Sequence, residues 1–217
     1  DQIDWQDTAT LLLGVRRDRA VSKVGSDRQV DRATTFRAGL VVHPVKGLSP
    51  YVSYSESFLP TIGLDFYGNR FVPQLGQQYE AGVKWQPDAN TLVAAAAFSI
   101  LGTNRLETDP TNGLNQIQQG KVRSRGIELE ATRTVPRDYS IALSYTYTHA
   151  RTGRSADSLG ERLPISSVPT HQASAFGEKT IPLTETAALR IGGGVRYVGP
   201  SSDAAVFNDL VPEGAIE

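Results

Sequence analysis

Strict two-residue alternation, repeated along most of the chain, most constrains what this sequence can fold into. In Tyr139–Ala150, Tyr139, Ile141, Leu143, Tyr145 and Tyr147 alternate with Ser140, Ala142, Ser144, Thr146 and Thr148. Successive side chains of a strand point to opposite faces, so one face is large and apolar and the other small and polar. Gln78–Gln86 repeats this: Tyr79, Ala81, Val83 and Trp85 oppose Gln78, Glu80, Gly82, Lys84 and Gln86. Ala187–Tyr197 sets Leu189, Ile191, Val195 and Tyr197 against Arg190, Gly192, Gly194 and Arg196. Weaker alternation covers 8–16, 34–42, 48–58, 122–133 and 170–178. The alanines of Leu92–Leu101 favour helix by propensity. Its place between two strands with short spacing makes it a strand. About nine strands are expected.

The connectors sharpen the reading. Short turns rich in Pro, Gly, Asp and Asn fall at 43–47, 87–90, 135–138 and 181–184. Longer connectors are expected at Arg17–Ala33, Leu59–Gly76, Gly102–Lys121 and Arg151–Pro169. Short and long links therefore alternate. A soluble sandwich has no reason to gather its long loops at one end. A transmembrane barrel does, with short turns on one side of the membrane and long loops on the other. Its strands need roughly 9–11 residues to cross. The expected fold class is thus all-β: an antiparallel transmembrane β-barrel segment. The apolar face meets lipid and the polar face a lumen, with Trp85, Tyr139, Tyr147 and Tyr197 near the membrane interfaces. A soluble β-sandwich is the alternative, and it would bury Leu143 and Tyr145 in a core.

Composition narrows the function. The 217 residues carry 22 Lys and Arg against 23 Asp and Glu, a net charge of −1 that gives no basic field for nucleic acid. The longest apolar run, Leu92–Ile100 broken only by Ser99, is too short for a membrane helix, which needs roughly 20 residues. There is no cysteine, so no thiolate ligand or cysteine nucleophile. His43, His149 and His171 do not stand at metal-ligand spacing. Ser53, Ser55 and Ser57 lack a nucleophile elbow. Gly192–Gly194 lies inside a strand pattern rather than before a helix, where glycine lets the strand bend or something pack closely. Glu128 and Glu130 are expected to face the lumen and meet Arg or Lys on neighbouring strands. No catalytic residue, metal site or cofactor is assigned, and the chain is read as a non-enzyme. The exposed aromatics Phe66, Tyr67 and Phe71, on the Leu59–Gly76 connector, are the candidate ligand contacts; they either stack on a ligand or fold the loop on itself. The Asn- and Gln-rich Gly102–Lys121 connector is expected to be solvated or to meet a polar ligand.

An ordered set of segments carries a resemblance. Tyr51–Pro60 (YVSYSESFLP), Pro73–Lys84 (PQLGQQYEAGVK), Asn104–Pro110 (NRLETDP) and Gly120–Ala131 (GKVRSRGIELEA) are followed by Ser144–Thr148 (SYTYT), Pro169–Ser174 (PTHQAS) and Gly194–Gly199 (GVRYVG). In this order and spacing they resemble TonB-dependent siderophore receptors, most closely the ferrichrome and other hydroxamate type. The resemblance implies a barrel of roughly 22 strands with a plugged lumen, in the outer membrane of a Gram-negative bacterium. It implies uptake of an iron(III)–siderophore chelate, driven by the TonB complex through an N-terminal region. Residues 1–217 are then expected to be part of the barrel domain, without the plug and the last strands. Ferric siderophore, TonB complex and outer-membrane lipid are the implied partners. A passive porin is the remaining alternative within the barrel class.

Overall fold

The computed structural model describes residues 1–6, 8–25, 27–109, 112–153, 168–201 and 215–216. The nine alternating segments form β2 (Ala9–Val24), β3 (Asp27–Val42), β4 (Leu48–Leu59), β5 (Gln74–Asp88), β6 (Thr91–Asp109), β7 (Asn112–Val135), β8 (Tyr139–Thr152), β9 (His171–Pro182) and β10 (Ala188–Val198). Two short strands join them at the edges, β1 (Gln2–Trp5) and β11 (Ala215–Ile216), giving one eleven-stranded sheet rather than nine strands. Each strand pairs antiparallel with its neighbours in sequence. The sheet is not closed: β1 and β11 do not pair with each other.

In such a meander, successive connections fall at opposite ends. The short turns after β1, β3, β5, β7 and β9 therefore share one end. Turn chemistry fixes them. Leu48 N–H donates to Val45 O at 3.1 Å, and Gly47 takes φ +80°. A Cβ on Gly47 would also run into the Gln86 carbonyl, so only glycine fits here. Pro136 and Arg137 form a turn closed by Asp138 N–H to Val135 O, with Arg137 at φ +61°. At Asp88, the carboxylate accepts from Asn90 N–H at 2.8 Å and from the Thr91 hydroxyl at 3.2 Å. These bonds, the first above all, hold the Asp88 carboxyl below its ordinary value of 3.8, with the Arg133 charge adding a smaller pull.

Two of the expected long loops are strand. Arg17–Ala33 continues β2 and β3 in unbroken register up to Val24↔Asp27, and most of Gly102–Lys121 extends β6 and β7. Polar composition suggested loops there. Strands standing clear of any apolar layer need no apolar face, so alternation of hydrophobicity stops marking them. The Leu59–Gly76 connector remains largely irregular. Residues 154–167 of the fourth connector lie outside those described.

The register places the faces as alternation required. Leu40, Val52, Ala81, Ala97, Ile127 and Tyr147 form one cross-strand row; Val83, Ala95, Leu129 and Tyr145 form the next. Tyr51, Gly82, Ala96, Glu128 and Thr146 line the opposite face. No second layer covers the apolar rows, because each strand touches only its sheet neighbours among the described residues. Leu143 stays 47 % exposed, which excludes the sandwich core that the alternative required. Trp5, Trp85 and Tyr139 stand near the short-turn end of the apolar face; Tyr147 and Tyr197 stand toward the other.

Candidate functional site at the long-hairpin end

Burial is concentrated where a membrane sheet would reach water. Apart from glycines, the buried residues among those described are Gln29, Asp31, Thr61, Phe71, Asp109 and Asn115. All belong to the β2–β3, β4–β5 and β6–β7 hairpins beyond the apolar rows. The β4–β5 connection folds here into a loop held by both neighbours.

Amide side chains do the holding. The Gln29 side-chain nitrogen lies 3.0 Å from both Thr61 O and Phe71 O, the two flanks of the loop. Asn115, only 1 % exposed, accepts from Phe66 N–H at 2.7 Å and donates to Asp109 at 2.7 Å. Gln118 accepts from Val72 N–H at 2.6 Å and donates to Val72 O at 2.7 Å. Asn104, at φ +58° where the β6–β7 register shifts, donates to Pro73 O at 3.0 Å. An amide offers both a donor and an acceptor, so one side chain can satisfy an irregular backbone as a strand partner would. Asn104, Asn115 and Gln118 therefore brace the neighbouring loop, a role their composition does not suggest.

The three expected aromatics separate. Phe71 is 8 % exposed; its N–H donates to Gly63 O at 3.2 Å, and its ring packs on Gly63. It folds the loop on itself. Phe66 and Tyr67 are 63 % and 69 % exposed and meet edge to face, with ring centroids 5.5 Å apart. They are the central residues of a turn closed by Gly68 N–H to Asp65 O. The Asp65 carboxylate accepts from Tyr67 N–H at 2.9 Å, Asn69 N–H at 2.7 Å and the Asn69 amide at 2.8 Å. These bonds, led by the Asn69 side chain, hold the Asp65 carboxyl below its ordinary value. The tip thus presents two aromatic faces to solvent on an ordered turn.

Beside the loop, the β3–β4 ladder stops at Arg37↔Ser55. The freed Phe36 N–H is capped by Glu56 Oε2 at 3.0 Å. A cleft of about 410 Å³ opens above, lined by Arg16, Asp18, Thr35, Arg37 and Ser57 among others.

A single-layer meander with an uncovered apolar face, short turns at one end and braced hairpins at the other has the form of a barrel wall. Residues 1–214 match the family described as "TonB dependent receptor-like, beta-barrel". The chain belongs to this family. TonB-dependent receptors are outer-membrane β-barrel proteins, a class with short turns at one membrane face and longer loops at the other. The chain is 35 % identical over 208 residues to the ferrichrome outer membrane transporter/phage receptor of Escherichia coli, covering 93 % of this chain and 27 % of that protein. It is 36 % identical over 214 residues to the ferrioxamine B receptor of Salmonella typhimurium, covering 94 % of this chain and 30 % of the relative. It thus spans less than a third of the length of these relatives. The crystal structure of the ferric preacinetobactin receptor BauA from Acinetobacter baumannii shares the fold, with a TM-score of 0.81 at 21 % identity over 98 % of this chain and 33 % of that one.

The lumen face of this TonB-dependent receptor wall differs from expectation in one respect. Glu128 lies between Ala96 and Thr146, and Glu130 between Ala94 and Ser144. Neither forms an ion pair among the described residues, so the expected Arg or Lys partners on neighbouring strands are absent there. Aromatic rings instead lie across glycines on the next strand. Tyr51 covers Gly82, Phe98 covers Gly126, and Phe176 covers Gly192 and Gly194; a Cβ at any of these would lie 2.6–3.1 Å from ring carbons. The Gly192–Gly194 run is a seat for Phe176, which is the close packing expected of it. No group of three or more His, Asp or Glu suited to a metal occurs among the described residues.

Proposed function

We propose that this chain forms part of the wall and outer vestibule of a TonB-dependent receptor that imports ferric siderophores, with hydroxamates as the chemical class. The observation that carries the reading is the braced tip. Phe66 and Tyr67 stand exposed on a turn fixed by Asp65, at the outer end of a barrel wall whose relatives are named as ferrichrome and ferrioxamine B receptors. An iron(III)–siderophore chelate is bulky and arrives with its coordination sphere filled. Aromatic faces can stack on it without any protein ligand to the metal. In this reading Phe71 orders the loop from inside, and Phe66 and Tyr67 touch the ligand. A plug domain fills the lumen, further strands complete the barrel, and the TonB complex acts through a region N-terminal to this segment. The reaction is transport and needs no catalytic residue or cofactor.

The test is iron uptake by cells lacking their own hydroxamate receptors and carrying the full-length gene. Radioiron supplied as ferrichrome or ferrioxamine B should enter only when both this gene and tonB are present. Entry that persists without tonB would support the passive-porin reading instead.

A further inference from the structure

The β6–β7 hairpin ends on a short irregular segment that carries a reactive pair of residues. Asn112 is the one asparagine of the sequence followed by glycine. Its cross-strand partner is Asp109, and the next pair along the ladder is Thr108↔Gln116. Gly113, Leu114 and Asn115 therefore bulge out, with no ladder partner on β6. Gly113 is exposed, and Leu114 is 91 % exposed. Within the bulge the Asn112 side chain folds back along the chain, and its Oδ1 accepts from Leu114 N–H at 3.1 Å. Such a bond closes a ring around the Gly113 peptide and carries the side-chain amide carbon toward the Gly113 nitrogen. Gly113 has no Cβ to obstruct that approach, and nothing else lies within 4 Å of the place one would occupy.

We infer that the Asn112-Gly113 peptide is a self-modification site, and that its conversion releases the brace on the aromatic tip. The Gly113 nitrogen attacks the side-chain carbonyl carbon of Asn112. The new C–N bond closes a succinimide ring, and the side-chain nitrogen leaves as ammonia, taking up the Gly113 proton. Water then opens the ring at one carbonyl or the other, giving aspartate or isoaspartate. No other reactant is needed. Both products put a carboxylate opposite Asp109, and like charges directly opposite on paired strands are destabilising. Isoaspartate also adds a backbone carbon just before the 113–115 bulge. Asn115 is the side chain at stake. It donates to that same Asp109 at 2.7 Å and accepts from Phe66 N–H at 2.7 Å. A shift at Asp109 or in the bulge therefore reaches the aromatic tip through these bonds. Asn104 and Asn115 are followed by Arg105 and Gln116, whose side chains crowd the same ring closure.

The test ages the full-length receptor in detergent at mildly alkaline pH and digests it with trypsin. Cleavage after Arg105 and Lys121 isolates residues 106–121, which carry Asn112 with Asn115 as an internal control. Isoaspartate, located by fragmentation mass spectrometry, should accumulate at Asn112 and not at Asn115. Gly113→Ala should slow it on the order of tenfold, because the added methyl group crowds the ring closure. Exchange of the Phe66 amide, read on the intact aged receptor, should rise about tenfold in the converted fraction, the loss of one bond. Asn112→Gln, whose longer side chain closes its ring far more slowly, should keep Phe66 protected through the same ageing. Absence of isoaspartate at Asn112 under conditions that convert the free 106–121 peptide would overturn the proposal. So would full conversion with Phe66 protection unchanged. Any effect on uptake rests on the reading of Phe66 as a ligand contact. Ferrichrome binding should then fall as conversion proceeds; unchanged binding beside a loosened Phe66 would count against that reading and leave the modification to stand.

Discussion

At the scale of single residues, the exposed tip separates ligand contact from loop folding. Phe66→Ala and Tyr67→Ala should each weaken ferric-hydroxamate binding about tenfold, ~1.4 kcal/mol, with the loop's hydrogen-exchange protection unchanged. Phe71→Ala should instead deprotect residues 60–73, because the one apolar side chain buried there leaves a void worth about 3 kcal/mol. Both effects are readable by titration and by exchange on the full-length receptor. Asp65 adds a pH dependence. Its folded-state pKa lies below the ordinary 3.8, so the carboxylate's contribution to the tip is complete above that value. The contribution disappears as pH falls through the lowered folded value. Asp65→Asn keeps an acceptor for the Tyr67 and Asn69 N–H groups and should preserve much of the order. Asp65→Ala should disorder the tip at every pH. Identical tryptic nicking of Asp65→Ala and wild type at Arg70 would contradict this assignment.

At the scale of elements, the braces between hairpins should be unequal. Asn115 is fully buried between Phe66 N–H and Asp109, so Asn115→Leu leaves the Phe66 N–H unpartnered, takes one bond from Asp109, and should cost about 2 kcal/mol of local stability. Gln118→Leu breaks two bonds to Val72 and one to Asn104 O, but Val72 is exposed and water replaces its bonds, so the cost should stay near 1 kcal/mol. Exchange rates of loop amides in the two variants rank them. These braces also mark where the sequence stopped being legible. All nine alternating strands were readable because a one-sided apolar face imposes period two, and Ala-rich β6 was settled by its position. The extensions of β2, β3, β6 and β7 are not legible as strands because, beyond the apolar rows, neither face has to be apolar. The bracing role of Gln29, Asn104, Asn115 and Gln118 could not be read, since an amide's partner lies across hairpins and nothing local encodes it. Phe71 differs from Phe66 and Tyr67 through Gly63, eight residues earlier, a pairing that sequence spacing does not announce.

At the scale of the whole molecule, the sheet has little core of its own. Its apolar rows stay uncovered among the described residues, as a sandwich's core rows would not be. The lumen face carries Glu80 on β5 and Glu128 and Glu130 on β7, with Glu80 accepting from the Tyr51 hydroxyl at 2.6 Å. The orientation of the two faces is what separates a barrel wall from half of a sandwich. The most direct test is a nitroxide scan of β8 from Tyr139 to Thr152 in the full-length receptor in bilayers, convenient because this segment has no cysteine. Labels at Ile141, Leu143 and Tyr145 should be accessible to oxygen and shielded from water-soluble nickel quencher, with Ala142, Ser144 and Thr146 showing a lower oxygen-to-nickel ratio. Odd-numbered sites shielded from both reagents would contradict it, because that is the signature of a protein core.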